Sequence, residues 1–274
     1  MKELLRVGTP VDLSAIDTTA TPGFTGTKKD GQKSLAAGIR EFADLQERLF
    51  AAGRFGDRRS LLLVLQAMDT AGKGGIVKHV VGSVDPQGTH IHAFKAPTDE
   101  EKSHDFLWRV RRELPVAGMI GVFDRSHYED VLIHRVRGFS TPEVIEARYG
   151  VIADFEKELV AAGTTIIKVM LHISPAEQKA RLTARLDDPA KHWKYNPGDI
   201  DERELWPKYM EAYEIALTRT STDEAPWYVV PADHKWYARL AVQNLLLDAL
   251  RGMNLEWPQA DYDVAAEQKR LAAT

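Results

Sequence analysis

None of the 274 residues is cysteine. That absence removes disulfide frameworks, thiolate nucleophiles, iron–sulfur clusters and cysteine-ligated zinc together, and it fits a reducing compartment. Also missing is any stretch approaching the roughly 18 apolar residues of a membrane span. The opening segment, MKELLRVGTPVDLSAIDTTA, holds no apolar signal core, so a cytoplasmic protein with no membrane partner is expected. Positive charge is not in excess, since Lys+Arg 36 against Asp+Glu 40 leave a net charge of −4. Sequence-general nucleic-acid binding is therefore not expected, and any polyanionic ligand must be held by a local basic patch. Disorder is excluded as the main state by 44% hydrophobic against 28% charged residues. No internal repeat, low-complexity tract or Pro-rich linker divides the chain. One domain is the economical reading of a length that allows one or two at about 100–200 residues each.

What is present is an alternation of strands and helices. Residues 1–30 are rich in Thr, Gly and Asp and read as an irregular arm, followed by a single domain over 31–274. Leu35, Ile39, Phe42, Leu45 and Leu49 recur at three and four, which predicts an amphipathic helix over 32–52. SLLLVLQ, residues 60–66, is a continuous apolar run and reads as a buried central parallel strand. Further strands are predicted over 89–94, 118–123, 165–173 and 227–230. Helical patterning falls near 73–84, 99–113, 142–162, 175–186, 204–220 and 236–251. Strand and helix alternating in this way predict an α/β fold whose parallel sheet is covered on both faces. Residues 177–208 mix cations and acids around DDPAKHWKYNPGD, a poor core sequence. They read as a mobile lid or as a surface insertion without a role.

The first strand runs into Ala67-Met-Asp-Thr-Ala-Gly-Lys-Gly-Gly75 and then a helix. Strand, Gly-rich turn and helix together make a backbone nest for phosphate oxygens, with Lys73 adding the full charge. Against G-x-x-x-x-G-K-[ST], Ala67 replaces the first Gly and Gly74 the hydroxyl residue. Asp69 is the natural substitute for that hydroxyl in holding a hard cation. The bland alternative is a solvated strand–helix turn. The third strand ends in Asp124, at the sheet edge where α/β ligands bind, and Asp124 can ligate magnesium or orient an attacking phosphate. Arg125 can pair with phosphate bidentately; Glu129, four residues on, makes a helix-surface ion pair the competing reading. Arg181 and Arg185 are one helical turn apart, placing two guanidinium forks side by side, unless both are merely solvated. The nine histidines show no metal-ligand spacing, and Trp193, Trp206, Trp227 and Trp236 read as packing residues.

LLLVLQAMDTAGKGG, GVFDRSHYEDVLIHRV, LHISPAEQKARLTARLDDPAKHWK and APWYVVPADHKWYARL, in this order, resemble the family-2 polyphosphate kinases over roughly residues 31–253. The resemblance implies a three-layer α/β/α P-loop kinase-like fold with a helical lid at about 177–208. It also implies transfer of a phosphoryl group between inorganic polyphosphate and AMP, ADP or ATP, with Mg2+, or Mn2+ in its place, as cofactor. By the same resemblance Asp69, Lys73, Asp124 and Arg125 form the catalytic centre, with the metal on Asp69 and Asp124. Ala71, Gly72, Lys73, Gly74 and Gly75 bind phosphate, Lys78 and His79 lie toward the polyphosphate path, and the lid brings Arg181, Arg185 and Lys194. Members are commonly homodimers or homotetramers. Glu129 is similar to the subgroup acting on both mono- and diphosphates, although Asp124 stands where that subgroup often has Asn. Two other readings compete. One is an ATP-dependent nucleoside monophosphate kinase. The other is a nucleotide switch, against which the missing N-K-x-D segment argues; the nearest string, Thr27-Lys-Lys-Asp30, precedes the phosphate loop.

Overall fold

The computed structural model describes residues 1–274. In chain order it runs α1 (Lys28–Arg54), β1 (Ser60–Ala67), α2 (Lys73–His79), β2 (Thr89–Ala93), β3 (Ile120–Asp124), α3 (Pro142–Ala161), β4 (Thr164–His172), α4 (Pro175–Leu186), α5 (Gly198–Glu204), α6 (Trp206–Thr220), β5 (Trp227–Pro231), α7 (Lys235–Gly252) and α8 (Val264–Ala272), with single helical turns between. All eight residues of β1 are buried, because the strand has a neighbour on each side and helices on both faces. The five strands are parallel in the order β2-β3-β1-β4-β5.

Alternation along β1 divides the core into two layers. Leu61, Leu63 and Leu65 pack with Phe42 and Leu49 of α1 and with Ala241 and Leu245 of α7. Leu62 and Val64 point the other way, toward Tyr149 and Ile152 of α3 and Ala212 and Tyr213 of α6. The fold is thus a three-layer α/β/α sandwich, and each predicted strand lies within two residues of its observed bounds.

The differences have local causes. The helix predicted over 99–113 is two single turns, Asp99–Lys102 and Trp108–Arg111. Between them the Asp105 side chain accepts from Leu107 N, a local alternative to helical bonding. The helix predicted over 73–84 ends at His79 and passes into a 3-10 turn, where Ser83 Oγ donates to the Val80 carbonyl. The first helix begins at Lys28, earlier than its apolar stripe, because Thr27 and Asp30 form a capping box. Parts of the N-terminal arm are ordered: Lys2–Leu5 is helical, Arg6 bridges Tyr228 antiparallel, and Leu5 and Leu13 are buried. In the segment expected to form a lid or a surface insertion, Gln178, Arg181 and Leu182 are buried, so its first turns belong to the body.

Beneath the sheet lies an ion pair that the sequence patterning did not announce. Lys168 of β4 is fully buried and donates to Glu156 Oε2 of α3 (2.5 Å), to the Thr220 carbonyl (2.7 Å) and to Tyr128 Oη (3.1 Å). Tyr128 Oη donates in turn to Glu156 Oε1 (2.8 Å), which ties the turn after β3 to the core. Burial pushes the Glu156 carboxyl up, but Lys168 and His127 together outweigh it and hold the group below its ordinary value. Glu156→Gln, which strands the Lys168 charge, should lower unfolding free energy by about 3–5 kcal/mol in urea titration. The pair Glu156→Leu with Lys168→Met removes both charges and should recover most of that loss. A double variant no more stable than the single one would contradict the assignment.

Candidate active site

The phosphate-loop geometry follows from the end of β1. Thr70 (φ +67°) and Gly72 (φ +123°) turn the chain sharply back into α2, and only glycine adopts the second value without strain. Ala71 N–H donates to the Met68 carbonyl and Gly75 N–H to the Gly72 carbonyl (2.8 Å), closing the turn on itself. Ala71 and Gly75, expected to bind phosphate, therefore have their amides committed within the loop. The N–H groups of Gly72, Lys73 and Gly74 take no protein acceptor and form the nest. Lys73 Nζ lies 3.3 Å from the Ala67 carbonyl and 4.0 Å from Asp124 Oδ1.

The acidic partner is placed by register. Leu65 pairs with Asp124, so the end of β3 opens beside the loop. Arg125 then turns back at φ +65°, donates its N–H to the Leu65 carbonyl (2.9 Å) and sets Nη2 2.7 Å from Asp69 Oδ1. Burial pulls the Arg125 guanidinium down, yet Glu129 and Asp69 outweigh it and hold it above its ordinary value. Glu129 is not on a helix surface. It sits in the 3-10 turn His127–Asp130, where the amide nitrogen of Gln66, oriented to suit its partners, donates to Glu129 Oε1 at 3.0 Å. Burial raises the Glu129 carboxyl above its ordinary range, against the pull of Arg125 and Lys73.

Arg181 and Arg185 do not present side-by-side forks. Arg181 is 6% exposed and commits all five N–H donors to protein acceptors, among them the carbonyls of Thr70 and Ala71. Arg185 donates through Nη1 to the Lys194 carbonyl (2.9 Å) and lies 3.4 Å from Asp199, leaving its Nε and Nη2 groups free toward the cleft. Spacing put both residues on one face but could not show which already had acceptors.

Two cavities meet at Asp69 and Arg125. The larger, about 1080 Å3, is lined by the phosphate loop, Lys78, His79, Arg185 and Lys194, and carries ten Lys and Arg against four Asp and Glu. This is the local basic patch that a chain of net charge −4 requires for a polyanion. Lys95, Lys191, Lys235 and Arg239 also line it and were missed. Lys235 and Arg239 are one turn apart on α7, a pairing visible in HKWYAR but far in sequence from the loop. Burial lowers the pKa of both, and neighbouring cations, Arg181 foremost, lower Lys235 further. Burial, then Arg239 and Lys78, lower the His79 pKa. Trp193, expected to pack, is 78% exposed at the cleft, whereas Trp227 is buried.

The smaller cavity, about 230 Å3, lies on the other side of Arg125 and is lined by Glu129, Glu202, Leu132, Ile133, Tyr209 and Tyr213. Glu202 accepts from Arg137 and from Tyr209 Oη (2.6 Å), fixing one wall. Asp199 borders both cavities, its carboxyl raised by burial and then by Asp69.

Comparison with known proteins agrees with this geometry. Residues 25–258 match the family Polyphosphate kinase 2 (PPK2). The chain is 43% identical over 250 residues to an AMP/ADP-polyphosphate phosphotransferase of Meiothermus ruber, covering 91% of this chain and 92% of that protein. It is 40% identical over 268 residues to an ADP-polyphosphate phosphotransferase of Rhodopseudomonas palustris, with 92% and 90% covered. The crystal structure of polyphosphate kinase 2 from Arthrobacter aurescens TC1 superposes with a TM-score of 0.98 at 62% identity, over 100% of this chain and 96% of that one. A match across nearly the whole chain, on a loop, acidic strand end and basic cleft of this kind, makes the protein a member of the polyphosphate kinase 2 family.

Proposed function

We propose that this protein moves the terminal phosphoryl group of inorganic polyphosphate to AMP and ADP, with the donor in the basic cleft and the acceptor nucleotide in the smaller cavity. The observation that carries this reading is the meeting of two unlike cavities at the Asp69–Arg125 pair. Even without Arg181, whose donors are all taken by protein, nine cations line the cleft, more than a single nucleoside triphosphate can use, which favours a long polyanion over ATP as donor. Apolar and tyrosine walls beside the acidic Glu129 and Glu202 suit a base and ribose better than a second polyanion. Nucleotide acceptors of this kind are met in the cytoplasm.

In the transfer, an acceptor phosphate oxygen attacks the terminal phosphorus, and the bond to its bridging oxygen breaks. The shortened polyphosphate leaves with that electron pair, so no protein nucleophile is needed. The Gly72, Lys73 and Gly74 amides and the Lys73 ammonium hold the non-bridging oxygens. Arg125, braced by Asp69, links the acceptor side to the donor side. Arg185 brings its free guanidinium edge from the lid. Asp69 and Asp124 are partly exposed carboxylates at adjacent strand ends, an oxygen-only set that fits a hard cation completed by phosphate and water. Mg2+ held there would offset charge on the phosphates; Mn2+ satisfies the same ligands.

Purified protein with Mg2+, polyphosphate and AMP, without ATP, should form ADP and then ATP by chromatography. No product from polyphosphate, with ready transfer from ATP to AMP, would instead establish the monophosphate-kinase reading. Lys73→Ala should lower turnover on the order of 10²-fold or more, as for loss of a transition-state donor; near-normal turnover would remove the loop from the mechanism. Glu129→Asn, altering the wall of the acceptor cavity next to Arg125, should lower the rate on AMP relative to ADP, and an unchanged ratio would make Glu129 a structural partner of Gln66.

A further inference from the structure

We infer that Arg181 is a positioning residue that sets the peptide planes of the phosphate loop and does not itself contact phosphate. Its Nε donates to Glu177 Oε1 (2.6 Å), its Nη1 to the carbonyls of Thr70 (3.0 Å) and Ala71 (2.7 Å), and its Nη2 to those of Ala232 (2.6 Å) and Asp233 (3.0 Å). A guanidinium has five N–H donors, and here none is left over. In a trans peptide the C=O and the following N–H point in opposite directions. Drawing the Ala71 carbonyl into the protein therefore turns the Gly72 N–H outward, and Gly72 N–H is among the loop amides without a protein acceptor.

The same guanidinium holds the turn that leads into α7, the helix that brings Lys235 and Arg239 to the cleft. Thr70 at φ +67° is a left-handed conformation that a residue with a side chain keeps only when its surroundings over-determine it, whereas Gly72 takes φ +123° freely. Arg181 contacts the chain between those two positions, and Gln178, one turn earlier on α4, donates to the Asp69 carbonyl (3.2 Å) just before them. A lysine cannot reproduce the arrangement, because an ammonium is a point charge without a planar fork. The first turns of α4 are thereby pinned to the loop, and lid movement is confined to the chain beyond Arg181.

This inference rests on the polyphosphate reading, and the test separates the two. Tripolyphosphate is titrated into wild-type, Arg181→Lys and Arg181→Met proteins without nucleotide, over a range of salt concentrations. The Lys variant, which keeps the charge, should bind about tenfold more weakly, the scale seen when a supporting group that orients ligands is lost. The dependence of log Kd on log salt should remain that of wild type in both variants. In turnover, KM for polyphosphate should rise while KM for ADP stays unchanged, since Arg181 does not line the smaller cavity; general destabilisation would lower kcat without this split. Wild-type affinity in the Lys variant, or a salt slope smaller by about one in the Met variant, the mark of a lost direct phosphate contact, would overturn the inference. If wild-type protein does not bind tripolyphosphate, the polyphosphate reading itself fails and the brace loses its ligand. If the Met variant does not fold, the Lys variant alone decides.

Discussion

Everything at the active site hangs on the parallel pairing of β1 with β3, in which Leu65 stands opposite Asp124. Side chains alternate along a strand, so slipping this register by one residue would turn Asp124 into the core and bring Phe123 to the loop. The slip is prevented by burial: Val122 and Phe123 belong to the two opposite apolar layers, and each would have to exchange layers. With the register fixed, Asp124 lies beside Lys73, and Arg125 N–H reaches the Leu65 carbonyl. The positive φ at Arg125 then returns its guanidinium to Asp69. Hydrophobic packing in the sheet thus becomes electrostatic geometry at its edge.

That geometry resolves a tension in the composition. A net negative chain has to hold a polyanion, and it does so by segregating charge. Cations from the loop, from residues 185–194 and from α7 converge on one side of the Asp69–Arg125 pair, while Glu129 and Glu202 line the other. Arg181 belongs to neither set, because its charge is absorbed by backbone carbonyls and by Glu177. A buried arginine surrounded in this way contributes order to its neighbours more than it contributes attraction to a ligand.

The sheet and the loop were legible in the sequence because each has a strictly local signature: a continuous apolar run for β1, and the glycines with Lys73 immediately after it. Asp124 and Arg125 were legible because an apolar strand ending in charged residues marks a sheet edge. What stayed hidden depended on partners distant in the chain. Helical spacing placed Arg181 and Arg185 on one face, but the carbonyls that claim Arg181 come from Thr70, Ala71, Ala232 and Asp233. Lys235 and Arg239 join the cleft through tertiary packing of α7 against α1, α2 and the sheet. Glu129 at four residues from Arg125 suggested a helix, whereas Ser126 accepts from Tyr128 N and starts a tighter 3-10 turn. The buried Lys168–Glu156 pair was invisible because a single lysine inside an apolar strand gives no hint of its counter-ion.

The assignment of donor and acceptor to opposite sides of the Asp69–Arg125 pair is tested most directly by a crystal structure of the protein with AMP and a short polyphosphate bound. The nucleotide base is expected in the smaller cavity beside Leu132, Ile133 and Tyr213, with its phosphate at Arg125 and the polyphosphate along Lys73, Lys235 and Arg239. A base lodged in the basic cleft, with no nucleotide in the smaller cavity, would contradict the assignment.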